Sequence, residues 1–92
     1  MTTKRITDAL LQMQVDCLTT ALNLPEKSWI DGKAQVGNIH LEYVNGRVGL
    51  LQHANEGGGC TRILHSTTKR ELFGQIDGIL IGIRVALTLL KH

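Results

Sequence analysis

Ninety-two residues, 42% apolar and 20% charged with a net charge of +2, describe one domain over residues 1–92, neither disordered nor polycationic. A chain this short buries only about 60–65% of its unfolded surface, so its packing has to be dense. Two cysteines, Cys17 and Cys60, are too few for a disulfide framework. The run after Lys4 and Arg5 is broken by Asp8 and Asp16, unlike the apolar centre of a signal peptide. The expectation is a cytoplasmic protein with reduced thiols.

From Ile6 to Leu22 the apolar positions recur at 6, 10, 13, 17, 18, 21 and 22, a helical rhythm. Thr7 is suited to cap that helix, with Asp8 in its first turn and Ile6 and Leu11 spaced as a hydrophobic staple. Asn23 and Pro25 close it, the one tolerant of a left-handed backbone and the other unable to continue a helix. The stretch "PEKSWIDGKAQVG" has no steady period and reads as a loop or a short turn of helix, with Trp29 and Ile30 folding back onto the body.

"NIHLEYVNGRVGLLQH" carries the clearest local signal. Asn45-Gly46 between two alternating runs predicts a two-residue type I′ hairpin that pairs Val44 with Arg47, Tyr43 with Val48, Leu41 with Leu50 and His40 with Leu51. Ile39, Leu41, Tyr43, Val48 and Leu50 then share one face, and His40, Glu42, Val44, Arg47, Leu51 and His53 the other. "ANEGGG" is a loop and "CTRILHS" a third strand, in which either Ile63 or the pair Cys60 and Leu64 points inward. Thr68 and Glu71 form a capping-box pattern that opens a second helix from about Lys69 to Leu90. The order is α-β-β-β-α, and the fold class α+β: a three-stranded antiparallel sheet with two helices on one face.

Gly74, Gly78, Gly82 and Ala86, four residues apart, draw a stripe along the second helix although each internal glycine costs about 1 kcal/mol against alanine. A membrane span is not expected, because Asp77 and Arg84 interrupt the apolar run. The expectation is that the sheet or the first helix fills the groove, so that Gly78→Leu overpacks the fold. The competing reading gives the groove to a partner, including a second copy of the chain.

No catalytic or metal pattern emerges. "GGGC" lacks the lysine and hydroxyl of a phosphate loop and leads into a strand. His40 and His53 lie diagonally across the hairpin, their backbone positions about 7–8 Å apart. Cys60 and His65 face opposite ways in a regular strand, and no CxxC or HxxxH pair occurs. A thiol–imidazole site needs Cys60 beside a histidine and an orienting carboxylate, and nothing in the spacing places them together. Neither a cofactor nor a metal is expected, and the chain does not read as an enzyme.

The element order is also that of the double-stranded-RNA-binding fold, with Lys69 and Arg70 at a helix start where phosphates bind, though without a dense lysine cluster. At "TTKRELFGQIDGILIGI" the chain resembles small proteins encoded by tailed bacteriophages, which often end in a Lys-Arg-Glu-Leu segment opening a final amphipathic helix. In size, and in its phage-like second half, it is also similar to the anti-CRISPR proteins of temperate phages that block type I-F surveillance complexes. That resemblance implies a stoichiometric inhibitor in the host bacterial cytoplasm, binding Cas subunits or crRNA and preventing target DNA from engaging. A charge of +2 argues against DNA mimicry and toward RNA phosphates or acidic protein surface. The residues expected to carry recognition are His40, Arg47, His53, Arg62, Lys69 and Arg70. The alternatives are a nucleic-acid-binding accessory module and a structural homodimer built on the last helix, in a chain that is otherwise a monomer or weakly associating.

Overall fold

The computed structural model describes residues 5–91; Lys4, first of the basic pair ahead of the first helix, lies outside them. Helix α1 spans Asp8–Ala21 and starts where the sequence places it: the Thr7 hydroxyl accepts a hydrogen bond from the Leu10 N–H at 3.2 Å. Leu11, Val15 and Leu18 form its buried stripe. It ends as Asn23 turns left-handed at φ 55°, a conformation asparagine tolerates better than most side chains.

The next segment departs from expectation. Trp29–Ile30 (β1) and Lys33–Ala34 (β2) pair antiparallel into a small separate hairpin, not a loop or a turn of helix. Its turn residues Asp31 and Gly32 have φ of 50° and 76°, the same left-handed pair that Asn45 and Gly46 adopt at 51° and 77°. Asp-Gly is thus acting here as the hairpin dipeptide it chemically is.

Strands β3 (Ile39–Val44) and β4 (Arg47–His53) pair in the predicted register, from Val44 opposite Arg47 to His40 opposite Leu51. Strand β5 (Cys60–Thr67) adds antiparallel to β4, giving a three-stranded sheet in the order β3-β4-β5. Its two candidate facings are both replaced by a third. Leu64 opposes Leu50 while Arg62 opposes Leu51, so Ile63 is an extra residue at an irregularity in the ladder. This shift of phase sends Cys60 and Arg62 to the polar face and Leu64 to the core face, where it packs against the buried cluster. A second irregularity lies between Val48 and Leu50, where β5 crosses close over Gly49: a Cβ there would sit 2.9 Å from the Leu64 carbonyl oxygen.

Helix α2 spans Lys69–Leu90. The Thr68 hydroxyl accepts from the Glu71 N–H at 3.1 Å, and the Glu71 carboxylate takes a hydrogen bond from the Thr67 hydroxyl. Leu72 and Ile76 complete a single core with Leu11, Val15, Leu18, Ile39, Val48 and Leu50. Both helices lie on the Ile39–Leu50 side of the sheet, so the α+β arrangement of two helices over one face of a three-stranded sheet holds. Two polar contacts tie the helices together: Lys69 Nζ to the Asp8 carboxylate at 3.0 Å, and Gln14 Nε2 to the Phe73 carbonyl at 3.0 Å.

The glycine stripe is not a packing groove. Neither the sheet nor α1 fills it, and a Cβ added to Gly74, Gly78 or Gly82 meets nothing within 4 Å among the described residues. The overpacking expected of Gly78→Leu therefore has no basis within one chain. Past Ile83 the helix carries no buried or half-buried residue, and it is long and apolar enough, by length and composition, to cross a membrane.

The glycines separate into two opposite mutational outcomes. Gly49→Ala forces a side-chain carbon against β5 backbone and should cost about 1–3 kcal/mol. Gly78→Ala, measured on dilute monomer, should gain up to about 1 kcal/mol from helix propensity alone. Urea unfolding midpoints that move in these opposite directions check both.

Candidate functional site

The face of the sheet turned away from the helices gathers side chains from β1, β3, β4 and β5. His40 and His53 stand there with ring centroids 4.7 Å apart, and Cys60, directly opposite His53 in the ladder, joins them. The thiol sulfur is 3.5 Å from His53 Nδ1, 3.9 Å from His40 Nε2 and 3.4 Å from the Gly58 carbonyl oxygen. Sequence reasoning placed Cys60 with no histidine. The irregularity at Ile63 and the antiparallel return of β5 bring it beside two. The visible signal was only that Cys60 follows a glycine loop that reverses the chain after His53.

Asn38, buried ahead of β3, organises this cluster and was missed entirely. Its Nδ2 donates to the carbonyls of Pro25 at 3.0 Å and Glu26 at 3.4 Å, which identifies its oxygen as the remaining acceptor. That oxygen accepts from the Ser28 hydroxyl at 2.9 Å and faces His40 Nδ1 at 3.2 Å. His40 therefore carries its proton on Nδ1 and turns the lone pair of Nε2 toward the Cys60 thiol. An amide orients an imidazole that faces a thiol.

His53 is 4% exposed, with the Trp29 ring edge-on at a centroid distance of 5.4 Å and, among the described residues, no hydrogen-bond partner for Nε2. Among the described residues, no group of three or more His, Cys, Asp or Glu side chains is arranged to hold a metal ion. The loop beside the thiol offers little to a developing oxyanion, because the Gly58 and Gly59 amides are both taken by Asn55, at 3.2 and 3.0 Å.

The expected basic residues do not form one patch. Arg62 donates to the Glu42 carboxylate at 3.0 Å and to the Ser66 hydroxyl at 3.2 Å. Lys69 is engaged with Asp8, whose carboxyl the hydrogen bond from Lys69 holds below its usual range. Arg70 lies exposed in the first turn of α2, and Arg47 is exposed beside the Asn45–Gly46 turn. Only His40, His53 and Arg62, from the expected set, share the polar face with Cys60, and Arg47 stands at its end. Two surface hollows, of about 310 and 400 Å³, are both lined by Asp16 and Thr20 of α1 and share no residue with this face.

Burial lowers the His40 pKa, the neighbouring His53 lowers it further, and Glu42 opposes both. An unfolded histidine titrates near about 6.5. Between that value and the lower folded one, the unfolded chain binds more protons, so this contribution is complete above the unfolded pKa and is lost as pH falls through that window. The melting temperature should therefore decline from about pH 7.5 to about pH 5, and His40→Gln should flatten the decline. An equal decline in the variant would assign it elsewhere.

No family model matches this chain, and searches of curated proteins and of solved structures return no match.

Proposed function

We propose that the chain acts by binding: it presents the uncovered face of its sheet to a partner protein or ribonucleoprotein and occupies it stoichiometrically. One observation carries this reading. Both helices cover the same side of the sheet, and along the reverse side Trp29, 51% exposed, stands at one end over His53 and Gly58, the Arg62–Glu42 pair lies between, and Val44 and Arg47 are exposed at the hairpin end. Tryptophan and arginine dominate the energetics of protein interfaces, and these two are held by short hairpins that limit the entropy lost on binding. The engagement of Arg62 and Lys69 with acidic neighbours favours a mixed protein surface over a bare phosphate backbone, and it narrows the basic contribution to Arg47.

The resemblance to inhibitors of type I-F surveillance complexes supplies the partner class to try first: Cas subunits, alone or assembled on crRNA. The tagged chain should capture such a complex from bacterial lysate in a pull-down read by mass spectrometry. Arg47→Ala and Trp29→Ala should each weaken that capture about tenfold, with circular dichroism unchanged. Binding to free duplex RNA or DNA as tight as to the complex, and falling steeply with salt, would instead make this a nucleic-acid-binding module. Capture indifferent to both substitutions would clear the sheet face of the role.

A further inference from the structure

The outer face of α2 has a symmetry of its own. At 100° per residue, Gly74, Gly78, Ile81, Val85 and Leu89 fall within an arc of about 80°, opposite the side that carries Leu72, Ile76 and Ile83 into the core. Ile81 and Val85 on this face are each 52% exposed and Leu89 69%. Together these three side chains leave on the order of 300 Å² of apolar surface in water, the low end of the largest patch on an ordinary monomer.

Asp77 and Arg84 run along one edge of this face. Seven residues separate them, about 10.5 Å of helix rise, too far for an ion pair with each other. Neither side chain makes an ion pair among the described residues. Their positions are symmetric about the middle of the helix. Gly78 and Gly82 mirror each other about residue 80 and lie about 40° apart around the helix, and Asp77 and Arg84 do so to within half a residue at about 20° apart.

We propose that this face is the interface of a symmetric homodimer, in which two copies of α2 pack antiparallel across a two-fold axis near residue 80. In that arrangement every residue faces its own mirror position in the second copy. Gly78 and Gly82, close to the axis, then lie near each other across it, so the two backbones approach closely and Ile81 and Val85 lose contact with water. Because a two-fold axis keeps one edge of the helix against the same edge of its partner, Asp77 of each copy meets Arg84 of the other, twice over. The open glycine stripe has a function here that it lacks within one chain. A pair of helices about 33 Å long buries on the order of 1,000 Å² in total, the low end for a specific interface, so the dimer should form in the range of about 10–100 μM. This association is separate from the sheet face proposed above for partner binding.

Sedimentation equilibrium of the full chain across that concentration range should show a reversible monomer–dimer transition. Asp77→Arg, which sets like charges at both edge contacts, should raise the dissociation constant about tenfold. The double exchange Asp77→Arg with Arg84→Asp should restore it to within about threefold, a recovery that damage to the fold does not produce. Gly78→Leu, a good helix former on an open face, should keep the helical circular dichroism and abolish dimerisation. A chain that stays monomeric throughout, or a dimer indifferent to the charge reversal, overturns the proposal. So does stable association of the parent with phosphatidylcholine vesicles that persists in Gly78→Leu, since that outcome gives the apolar face to lipid.

Discussion

The type I′ turn at Asn45–Gly46 fixes which side chains of the sheet the helices can reach. Both turn residues are left-handed, and the ladder they start runs without a slip from Val44–Arg47 to Ile39–Gln52. A shift of one residue would carry Ile39, Val48 and Leu50 out of the core and bring His40, Glu42 and His53 into it. Everything downstream inherits this choice. Helix α1 lays Leu11, Val15 and Leu18 on the selected face, α2 adds Leu72 and Ile76, and the core is complete with those residues. The reverse face and the far half of α2 are left for other purposes because the apolar residues that could cover them are already used or point outward.

A second, smaller anchor lies in Asn38. The segment between α1 and β3 has no helix or long strand to fix it, and a single buried amide joins Pro25, Glu26, Ser28 and His40. Such a hub is costly to leave unsatisfied, which makes it an effective specifier of one loop conformation. It also settles the tautomer of His40 and hence what faces the Cys60 thiol. The position of Trp29 follows from the same region: the β1–β2 hairpin brings its ring over His53 and against Gly58, leaving half of it in water.

Interior glycines weaken a helix, and α2 has three of them at positions where an added Cβ meets nothing among the described residues. Within a monomer this arrangement has a cost and no return. Two surfaces thus stand uncovered by intramolecular packing, one polar with an aromatic and an arginine, the other smooth and aliphatic. The first suits a partner of mixed character, the second a copy of itself, and the chain has room for both because they lie on different elements.

Local chemistry made much of this fold readable in advance. Thr7 and Thr68 as caps, Asn23 as a helix stop, the Asn45–Gly46 turn with its register, and the bounds of α2 all depend on contacts within a few residues, which sequence encodes directly. Tertiary structure decided what depends on distant segments meeting. The irregularity at Ile63 reverses the facing of Cys60, because the fit of β5 against β4 near Gly49 sets the phase and no alternation rule contains it. The pairing of Arg62 with Glu42 and of Lys69 with Asp8 depends on elements 20 and 61 positions apart in the chain. Whether the glycine stripe is filled or open was likewise undetermined by its spacing, since periodicity defines a face of a helix but not what the rest of the fold sets against it.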